Sequence, residues 1–504
     1  MAVFNKADLS FAQIVADLSF SNPFLEERVL LEKQALRKDF DSSTQAYWSH
    51  NFKDELDRPN VVRLSERVFE VAERVRKKIA DGESYSDSEI ELYDDLAHYV
   101  VYYKSLAYHV LDASSSATET LWNNFSKEFE HWMLVGEVKA PHYEQKEHVF
   151  SYLHQLRLAF ANIYAFVIGR TKPVADLRAR IWQSIFTHNM RRYRRSLYDR
   201  MHEVSTLVMG PSGTGKELVA RAIAMSMYRP FNTRLKLFAD EAGQKFLPVN
   251  LSAMSPTLIE SELFGHVKGS FTGAATTRIG LLESAGRYDC VFLDEIGELD
   301  AAIQVKLLRV LQSRTFQRIG ENEERKFAGK VVSATNRDLH SEIQTGQFRE
   351  DFYYRICSDV IATPSLREQL DDRADEIEFL LNFHCNRIAP AEGDELAKEV
   401  LTWIGSHLPA DYHWPGNTRE LEQCVRNIMI HNDYLPQQST LDAMPSAANS
   451  ITDKMLACEM TVDELIGRYC EIAYRKTNSY EKAAELLNLD RRTVKAKIVA
   501  LSPE

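Results

Sequence analysis

The chain has 504 residues, 44% hydrophobic and 27% charged, and 61 Lys and Arg against 73 Asp and Glu give a net charge of −12. This length suggests roughly three domains with sizeable cores. The acidic balance argues against a protein that coats nucleic acid along its whole length, although it allows a small basic module. The six cysteines form no Cys-x-x-Cys pair, and the longest apolar run, Ala159 to Ile168, is too short to cross a bilayer. We therefore expect a cytoplasmic protein with no membrane partner.

Residues 1–178 are predicted to form an all-α domain, because apolar residues recur there at spacings of three and four. One such stripe consists of Val149, Leu153, Leu156, Phe160, Ile163 and Val167. The many aromatic residues of this region either fill its core or line a ligand pocket, and their helical spacing favours the core. Its scattered histidines at 109, 131, 142, 148 and 154 lack the paired spacing of a metal site, which favours solvated or core histidines.

A basic stretch follows at residues 178–200, where seven arginines alternate with apolar residues. It is either a helical lead-in to the next domain or a nucleic-acid face, and its position just before a nucleotide-binding motif favours the lead-in. Further along, residues 229–244 are predicted to be a surface insertion.

A glycine-rich loop after a short apolar strand is typical of a phosphate-binding P-loop. Its glycines let backbone N–H groups turn toward a phosphate chain, and Lys216 can reach the outer phosphates. The alternative, a glycine-rich turn that caps an ordinary helix, is disfavoured by the full spacing. Glu217 stands where a hydroxyl usually touches magnesium, so the metal must be held from elsewhere. The loop residues are Gly210, Pro211, Ser212, Gly213, Thr214, Gly215, Lys216 and Glu217.

Two further apolar segments end in polar side chains, as parallel strands do at the edge of a nucleotide site. The first ends in Asp294, predicted to hold Mg²⁺ through water, and Glu295, predicted to orient or deprotonate the attacking water. The second ends in Thr335 and Asn336, suited to sensing the γ-phosphate. Strands that alternate with helices in this way predict a parallel α/β sheet.

Two arginines six positions apart, Arg349 and Arg355, follow these strands, and Arg419 lies at the start of a later predicted helix. Planar guanidinium groups suit the charge that builds up on a transferring phosphoryl group.

Residues 210–426 resemble, motif for motif and in order, the AAA+ domain of bacterial enhancer-binding proteins, which activate sigma-54 RNA polymerase. The most specific segment is Gly269, Ser270, Phe271, Thr272, Gly273 and Ala274. It resembles the family's GAFTGA loop, which contacts sigma-54, with Ser in place of the usual Ala. The family also has Glu at the position of Glu217.

The resemblance implies a cofactor pair, ATP and Mg²⁺, and a role for each site residue. Lys216 would bind the β- and γ-phosphates, and Asn250 would restrain the catalytic Glu295. Thr335 and Asn336 would form sensor I, and Arg419 would be sensor II. The two other arginines, Arg349 and Arg355, would be fingers donated to a neighbouring subunit. The assembly implied is a homo-oligomeric ring, a hexamer when active and a dimer when inactive.

The C-terminal residues 459–504 follow a predicted linker at 433–458 and read as helix, helix, short turn, helix. Between 475 and 501 there are seven Lys and Arg against three Asp and Glu, which gives +4 in an acidic protein. The segment resembles the Fis-type helix-turn-helix, a double-stranded DNA-binding module that dimerises through its first helix; the alternative is a plain solvated hairpin. The predicted DNA contacts are Arg491, Arg492, Thr493, Lys495 and Lys497.

The sequence thus predicts a multidomain activator with a helical regulatory domain at 1–178, an α/β P-loop AAA+ domain with a helical lid at 179–432, and a small all-α helix-turn-helix domain. It would bind upstream DNA and use ATP hydrolysis to remodel the sigma-54 holoenzyme for promoter opening. One rival is an AAA+ remodeller of another client, in which the 269–274 loop would have no purpose. The other is a DNA-binding repressor with a degenerate nucleotide site, which the intact catalytic set disfavours.

Overall fold

The computed structural model describes residues 2–43, 59–105, 115–239, 245–409, 411–436, 461–477 and 479–499. The chain forms two compact units, 1–432 and 433–504, and each is described by itself. Most of the predicted linker at 433–458 lies outside the described residues.

The N-terminal region of the first unit is built from helices, as predicted. Their bounds are α1 Lys6–Ser19, α2 Glu26–Leu36, α3 Pro59–Ala80, α4 Asp87–Ser105, α5 Ser115–Met133 and α6 Lys146–Phe166. A two-residue hairpin, β1 Leu134–Val135 and β2 Val138–Lys139, interrupts them. Gly136 makes its tight turn at φ 62°, a conformation that glycine adopts without strain. The aromatic residues of α5 and α6 lie mainly in the core, as their helical spacing predicts.

Helix α7, Lys172–Phe186, leads from these helices toward the sheet. Thr171 caps its first turn by accepting the N–H of Val174. Arg178 is buried within it and donates to the carbonyls of Val167 and Gly169. The basic stretch therefore begins as the predicted lead-in. The predicted domain boundary at 178 falls inside this helix. Hydrophobic periodicity continues through the stretch without a break, so it does not mark where one domain ends and the next begins.

Five parallel strands form the sheet in the order β13–β3–β12–β9–β6. Their bounds are β3 Thr206–Met209, β6 Phe246–Asn250, β9 Cys290–Asp294, β12 Lys330–Thr335 and β13 Asp359–Ala362. Strands β9 and β12 are buried almost throughout and have the apolar character of central parallel strands. The predicted parallel α/β sheet is confirmed. Sheet residues Val208, Phe292 and Val332 share one hydrophobic core with the N-terminal helices.

Helices surround the sheet and then form a lid. Those between and beside the strands are α8 Met190–Arg192, α9 Lys216–Ala224, α10 Pro256–Phe264, α11 Leu281–Ser284, α12 Ala301–Ser313, α13 Leu339–Gln344 and α14 Glu350–Ile356. The lid that follows β13 consists of α15 Leu366–Asp372, α16 Glu376–Ile388, α17 Gly393–His407 and α18 Asn417–His431. Three small antiparallel pairs complete the unit: β4 Phe231–Asn232 with β5 Leu237–Phe238, β7 Gly265–His266 with β8 Arg278–Ile279, and β10 Thr315–Phe316 with β11 Arg325–Lys326.

The insertion at 229–244 is not a purely surface feature, contrary to the prediction; its residues 240–244 lie outside the described residues. Phe231 and Phe238 of the β4–β5 pair are each 6% exposed. Phe231 stacks on Trp122 at 4.7 Å between ring centroids, and Phe238 stacks on Phe150 at 5.4 Å. Two aromatic anchors thus fasten the insertion to α5 and α6, a pairing that neither segment's sequence reveals.

The second unit contains three described helices, Val462–Thr477, Tyr480–Leu487 and Arg491–Val499. Its core consists of Cys470, Ala473, Ala483, Ala484 and Val494. Asn488, at φ 52°, ends the second helix in the left-handed conformation that asparagine tolerates. The helix, turn, helix arrangement matches the predicted one. In neither unit is a described helix long and apolar enough to cross a bilayer.

Candidate functional site: a nucleotide cleft

The P-loop joins β3 to α9 through three glycines with positive φ, at positions 210, 213 and 215. A Cβ at Gly210 would lie 2.1 Å from Thr363 Oγ1, and one at Gly213 would lie 2.3 Å from the Gly416 carbonyl oxygen. These two positions therefore require glycine for space as well as for backbone conformation. They also show that the loop is pressed against the chain that follows β13.

Lys216, the first residue of α9, is 8% exposed and its amine lies inside the loop. Nζ donates to the carbonyl oxygens of Gly210 at 2.9 Å and Pro211 at 3.1 Å. Burial lowers the pKa of Lys216, and the charges of Glu295 and Asp294 oppose that shift. The amine is thus held where a phosphate chain wrapped by this loop would place its outer groups.

Asp294 ends β9, and Glu295 follows it in a left-handed backbone conformation at φ 57°. The Glu295 N–H donates to Asp294 Oδ1 at 3.1 Å. Burial, followed by the charge of Glu295, raises the pKa of Asp294. Two adjacent carboxylates in a half-buried site are stabilised by a cation, so this donor set fits Mg²⁺ with Asp294 as the holder.

Asn250, Thr335 and Asn336 lie at the same sheet edge, and the Asn250 side chain has a partner other than the predicted Glu295. Asn250 is paired in register with Asp294, yet its side-chain oxygen accepts from the Ser252 N–H and hydroxyl. The Glu295 carboxylate instead accepts the backbone N–H of Asn336 at 3.4 Å. Thr335 Oγ1 is buried and accepts from the Arg337 N–H. The sequence thus predicted that these residues follow parallel strands, but not which atoms their side chains would contact.

Polar contacts join the P-loop to the start of α18 and to Thr363, the residue that follows β13. Arg419 Nη1 lies 3.3 Å from Ser212 Oγ in the P-loop. Asn417 donates to the Ser212 carbonyl at 3.0 Å, and Thr363 shares a hydrogen bond with Thr214 at 2.6 Å. Sequence reasoning missed Asn417 and Thr363, although Asn417 lies beside the predicted arginine.

The cleft between the sheet edge and the lid has a volume of about 930 Å³. It brings together P-loop residues 212–217, Asn250, Asp294, Glu295 and Arg419. An apolar wall closes its other side: Ala165, Phe166, Val167, Ile168, Val174 and Leu177. Such a polar end and apolar wall suit a phosphate chain joined to a planar base. The nucleotide site thus extends N-terminal to residue 178.

Arg349, Arg355 and Glu217 each contact a partner within their own chain. Arg349 pairs with Asp351 at 2.7 Å, and Arg355 donates to the Leu311 carbonyl at 2.8 Å. Both arginines are exposed, and neither lines the cleft of its own chain. Glu217 pairs with Arg221 at 2.8 Å, so its carboxylate has a partner other than a metal.

The loop at 269–274 lies between β7 and β8. Gly269 and Gly273 have φ values of 84° and 102°, and a Cβ at either would meet nothing within 4 Å. The Gly269 N–H donates to the Ala274 carbonyl at 2.9 Å and so closes the loop's base. Thr272 is exposed, whereas Phe271 is half-buried against the His266 ring at 5.0 Å. The Phe271 ring therefore covers His266 and leaves its other side to solvent.

Two surfaces stand out on the second unit. The third helix exposes Arg491, Arg492 and Lys495, while Lys497 pairs with Asp463 at 2.9 Å. Thr493, half-buried, donates its backbone N–H to the Asp490 carboxylate, which caps that helix. The first helix exposes an apolar stripe at helical spacing: Val462, Ile466, Tyr469 and Ile472.

The P-loop, the two carboxylates and the 269–274 loop lie within a part of the chain that matches a known family. Residues 185–362 match the family described as the Sigma-54 interaction domain. The Nif-specific regulatory protein of Azotobacter vinelandii is 41% identical over 244 residues, which cover 47% of this chain and 43% of that protein. The regulatory protein LuxO of Vibrio cholerae is 39% identical over 254 residues, half of each chain. The chain thus spans about half the length of the curated relatives it matches.

Among solved structures, NtrX from Brucella abortus in complex with ATP is 23% identical over 70% of this chain and 76% of that one, with a TM-score of 0.39. A TM-score this low carries no conclusion about the present chain.

Proposed function

Because the chain carries the sigma-54 interaction domain of the bacterial sigma-54-dependent activators, we propose that it is an ATP-driven activator that remodels sigma-54 RNA polymerase to open promoters. The observation that carries the proposal is the presence, within residues 185–362, of both catalytic carboxylates and the 269–274 loop. A remodeller of another client would not need that loop. Such work takes place in the cytoplasm, where the polymerase is.

The cleft supplies the parts that ATP hydrolysis needs. Lys216 and the loop N–H groups would hold the β- and γ-phosphates, and the apolar wall at Val167 and Leu177 would receive the base. Mg²⁺ held by Asp294 would neutralise phosphate charge. Glu295 would orient the attacking water and take up its proton, and Arg419 would follow lid movement through Ser212.

Transcription in vitro from a sigma-54 promoter tests the proposal directly. Purified protein, sigma-54 holoenzyme and promoter DNA are mixed with ATP or with a non-hydrolysable analogue. We expect open complexes with ATP only. Open complexes that form equally with the analogue, or no stimulation in the presence of demonstrated ATPase activity, would refute it.

Arg349 and Arg355 are proposed to complete the cleft of a neighbouring subunit in a ring, since both are exposed and neither lines their own cleft. Mixing inactive Lys216→Ala with inactive Arg355→Ala should restore part of the ATPase activity. Some interfaces of the mixed ring would then pair an intact P-loop with an intact finger. The control mixes Lys216→Ala with the double variant Lys216→Ala/Arg355→Ala, which has no intact P-loop to offer. Equal activity in both mixtures would contradict donation between subunits.

The third helix of the C-terminal unit is proposed to contact double-stranded DNA, and the exposed apolar stripe of the first helix to form a dimer. Arg492→Ala should weaken binding to an upstream DNA fragment and make the slope of log affinity against log salt shallower by about 0.9, the value for one lost phosphate contact. Lys476→Ala, which removes the same charge from the exposed end of the first helix, should leave the slope unchanged. A titration of full-length protein over a range of salt concentrations measures both; identical slopes would favour the solvated hairpin.

A further inference from the structure

A second cavity, of about 80 Å³, lies among the N-terminal helices, and it shares no lining residue with the nucleotide cleft. A space of this size would hold several water molecules, or a small ligand in their place. Rings form much of its wall: Phe20, Tyr99, Tyr102, Tyr152, Phe160 and Trp182. Many aromatic residues of this region therefore fill the core, and some also line a cavity.

Charged groups at this cavity are balanced within the protein. Arg28 pairs with Glu32 at 2.9 Å. Asp95 lies 2.6 Å from Arg191 and 3.7 Å from Arg194. Because each buried cation faces an acid, a ligand with a net charge would bring an uncompensated charge into a low-dielectric space. The balance favours a neutral ligand.

Two buried polar atoms at the wall have no hydrogen-bond partner among the described residues: His98 Nε2 and the Tyr152 hydroxyl. His98 and Tyr152 are 6% and 2% exposed, and both line the cavity. His98 Nδ1 lies 2.7 Å from the Asp94 carbonyl oxygen, which can only accept, so Nδ1 carries a proton. In the neutral ring Nε2 is then an acceptor, while the Tyr152 hydroxyl can donate. Buried polar groups in this state are costly unless something satisfies them.

We propose that this cavity binds a small, neutral, ring-shaped molecule that carries a hydroxyl group. Aromatic walls would stack on the ring. The ligand hydroxyl would donate to His98 Nε2 and accept from Tyr152, which makes use of both unpartnered atoms with a single group. This site goes beyond the proposed transcriptional function and would add a signal input to it.

The wall of the cavity is connected to the P-loop helix. Arg194, which lines the cavity, belongs to a π-helical turn at Tyr193–Leu197, an irregularity often found at functional sites. The neighbouring Tyr193 hydroxyl donates to Gln155 Oε1 at 2.8 Å, and Gln155 Nε2 donates to the Ser226 carbonyl at 2.9 Å. Ser226 lies just beyond the end of α9, the helix that begins with Lys216. Occupation of the cavity would thus act on the helix that carries the phosphate-binding lysine.

A metal site is the competing use of this region, because Asp94, His98 and His142 are grouped closely enough among the described residues to hold an ion. The Asp94 carboxylate already accepts from the His142 N–H at 3.1 Å and from His142 Nδ1 at 2.6 Å. Arg194 Nη2 lies 3.5 Å from His142 Nε2 and would repel a cation there. These contacts favour a positioning role for Asp94, which fixes the His98 and His142 rings.

Calorimetric titration of the full-length protein with three probes of similar size tests the proposal without reference to ATPase or transcription. We expect 2-naphthol to bind one per chain and naphthalene to bind about tenfold more weakly, since it lacks the hydroxyl. The 2-naphthoate anion should also bind more weakly than 2-naphthol. This comparison uses the unaltered protein and so does not depend on any variant folding.

Variants then locate the site. Tyr152→Phe should weaken 2-naphthol binding about tenfold but leave naphthalene binding unchanged. The matched control Tyr143→Phe, a half-buried tyrosine outside the cavity lining, should change neither. Leu156→Trp, which fills the cavity, should abolish both, and thermal melting establishes that each variant is folded. Three results would overturn the proposal: no binding of any probe, equal binding of 2-naphthol and naphthalene, or 2-naphthol binding that requires added zinc and is lost with a chelator.

Discussion

We expect the Glu295→Gln variant to bind ATP as tightly as the unaltered protein and to hydrolyse it at least about 100-fold more slowly. Glu295 lies next to Asp294 at the end of β9, and the Asn336 N–H holds its carboxylate. The amide keeps the size and the acceptor oxygen but cannot take up the proton of the attacking water. Binding therefore survives and turnover does not.

Lys216→Ala should fail at the earlier step, because the Lys216 amine binds the phosphates and not the attacking water. ATP binding itself should then be lost. Equilibrium binding of labelled ATP beside phosphate release separates the two variants. Glu298→Gln makes the same acid-to-amide change on an exposed residue three positions from Glu295, and it should retain both activities. Hydrolysis in Glu295→Gln at the rate of this control would show that Glu295 does not serve the water.

The nucleotide cleft was the most predictable part of the molecule, because its chemistry is concentrated in short stretches of sequence. The loop at 210–217 and the carboxylates after β9 each carry a local signal, and parallel strands bring their ends to one edge. The contacts that close the cleft are different. Thr363 meets Thr214 across 149 positions of sequence, and nothing local in either segment indicates that pairing.

Helical periodicity predicted the helices of the N-terminal region but not how their faces meet. A stripe such as Leu64, Val68, Val71, Val75 and Ile79 shows which side of a helix is buried, and all five are buried here. It does not show that Phe231 of a distant insertion stacks on Trp122. Nor does periodicity indicate the Asp94–His98 pair, because both residues are polar and yet are buried in α4.

The loop at 269–274 supports the remaining strong prediction. Its two glycines lie in open space with positive φ, and its base is closed by the hydrogen bond from Gly269 to Ala274. Phe271 packs on His266 and Ala274 is buried, whereas the two glycines leave open space at the tip of the loop, where another protein can make contact. Thr272 is exposed at its centre, beside the half-buried Phe271. The hydroxyl is therefore available to a partner, and its removal should not disturb the fold.

Thr272→Ala should accordingly leave ATP hydrolysis nearly intact while open-complex formation at a sigma-54 promoter falls about 30-fold or more. That is the loss expected when a central interface residue is truncated at a cost of roughly 2 kcal/mol. ATPase activity and open complexes are measured on the same preparation. Thr276→Ala makes the same change on an exposed threonine just past the loop and should lose neither activity. If Thr272→Ala opens promoters as well as Thr276→Ala does, the loop is not the coupling device. A parallel loss of ATPase activity would instead assign Thr272 to the motor itself, because a residue that only transmits force is not needed for the nucleotide chemistry.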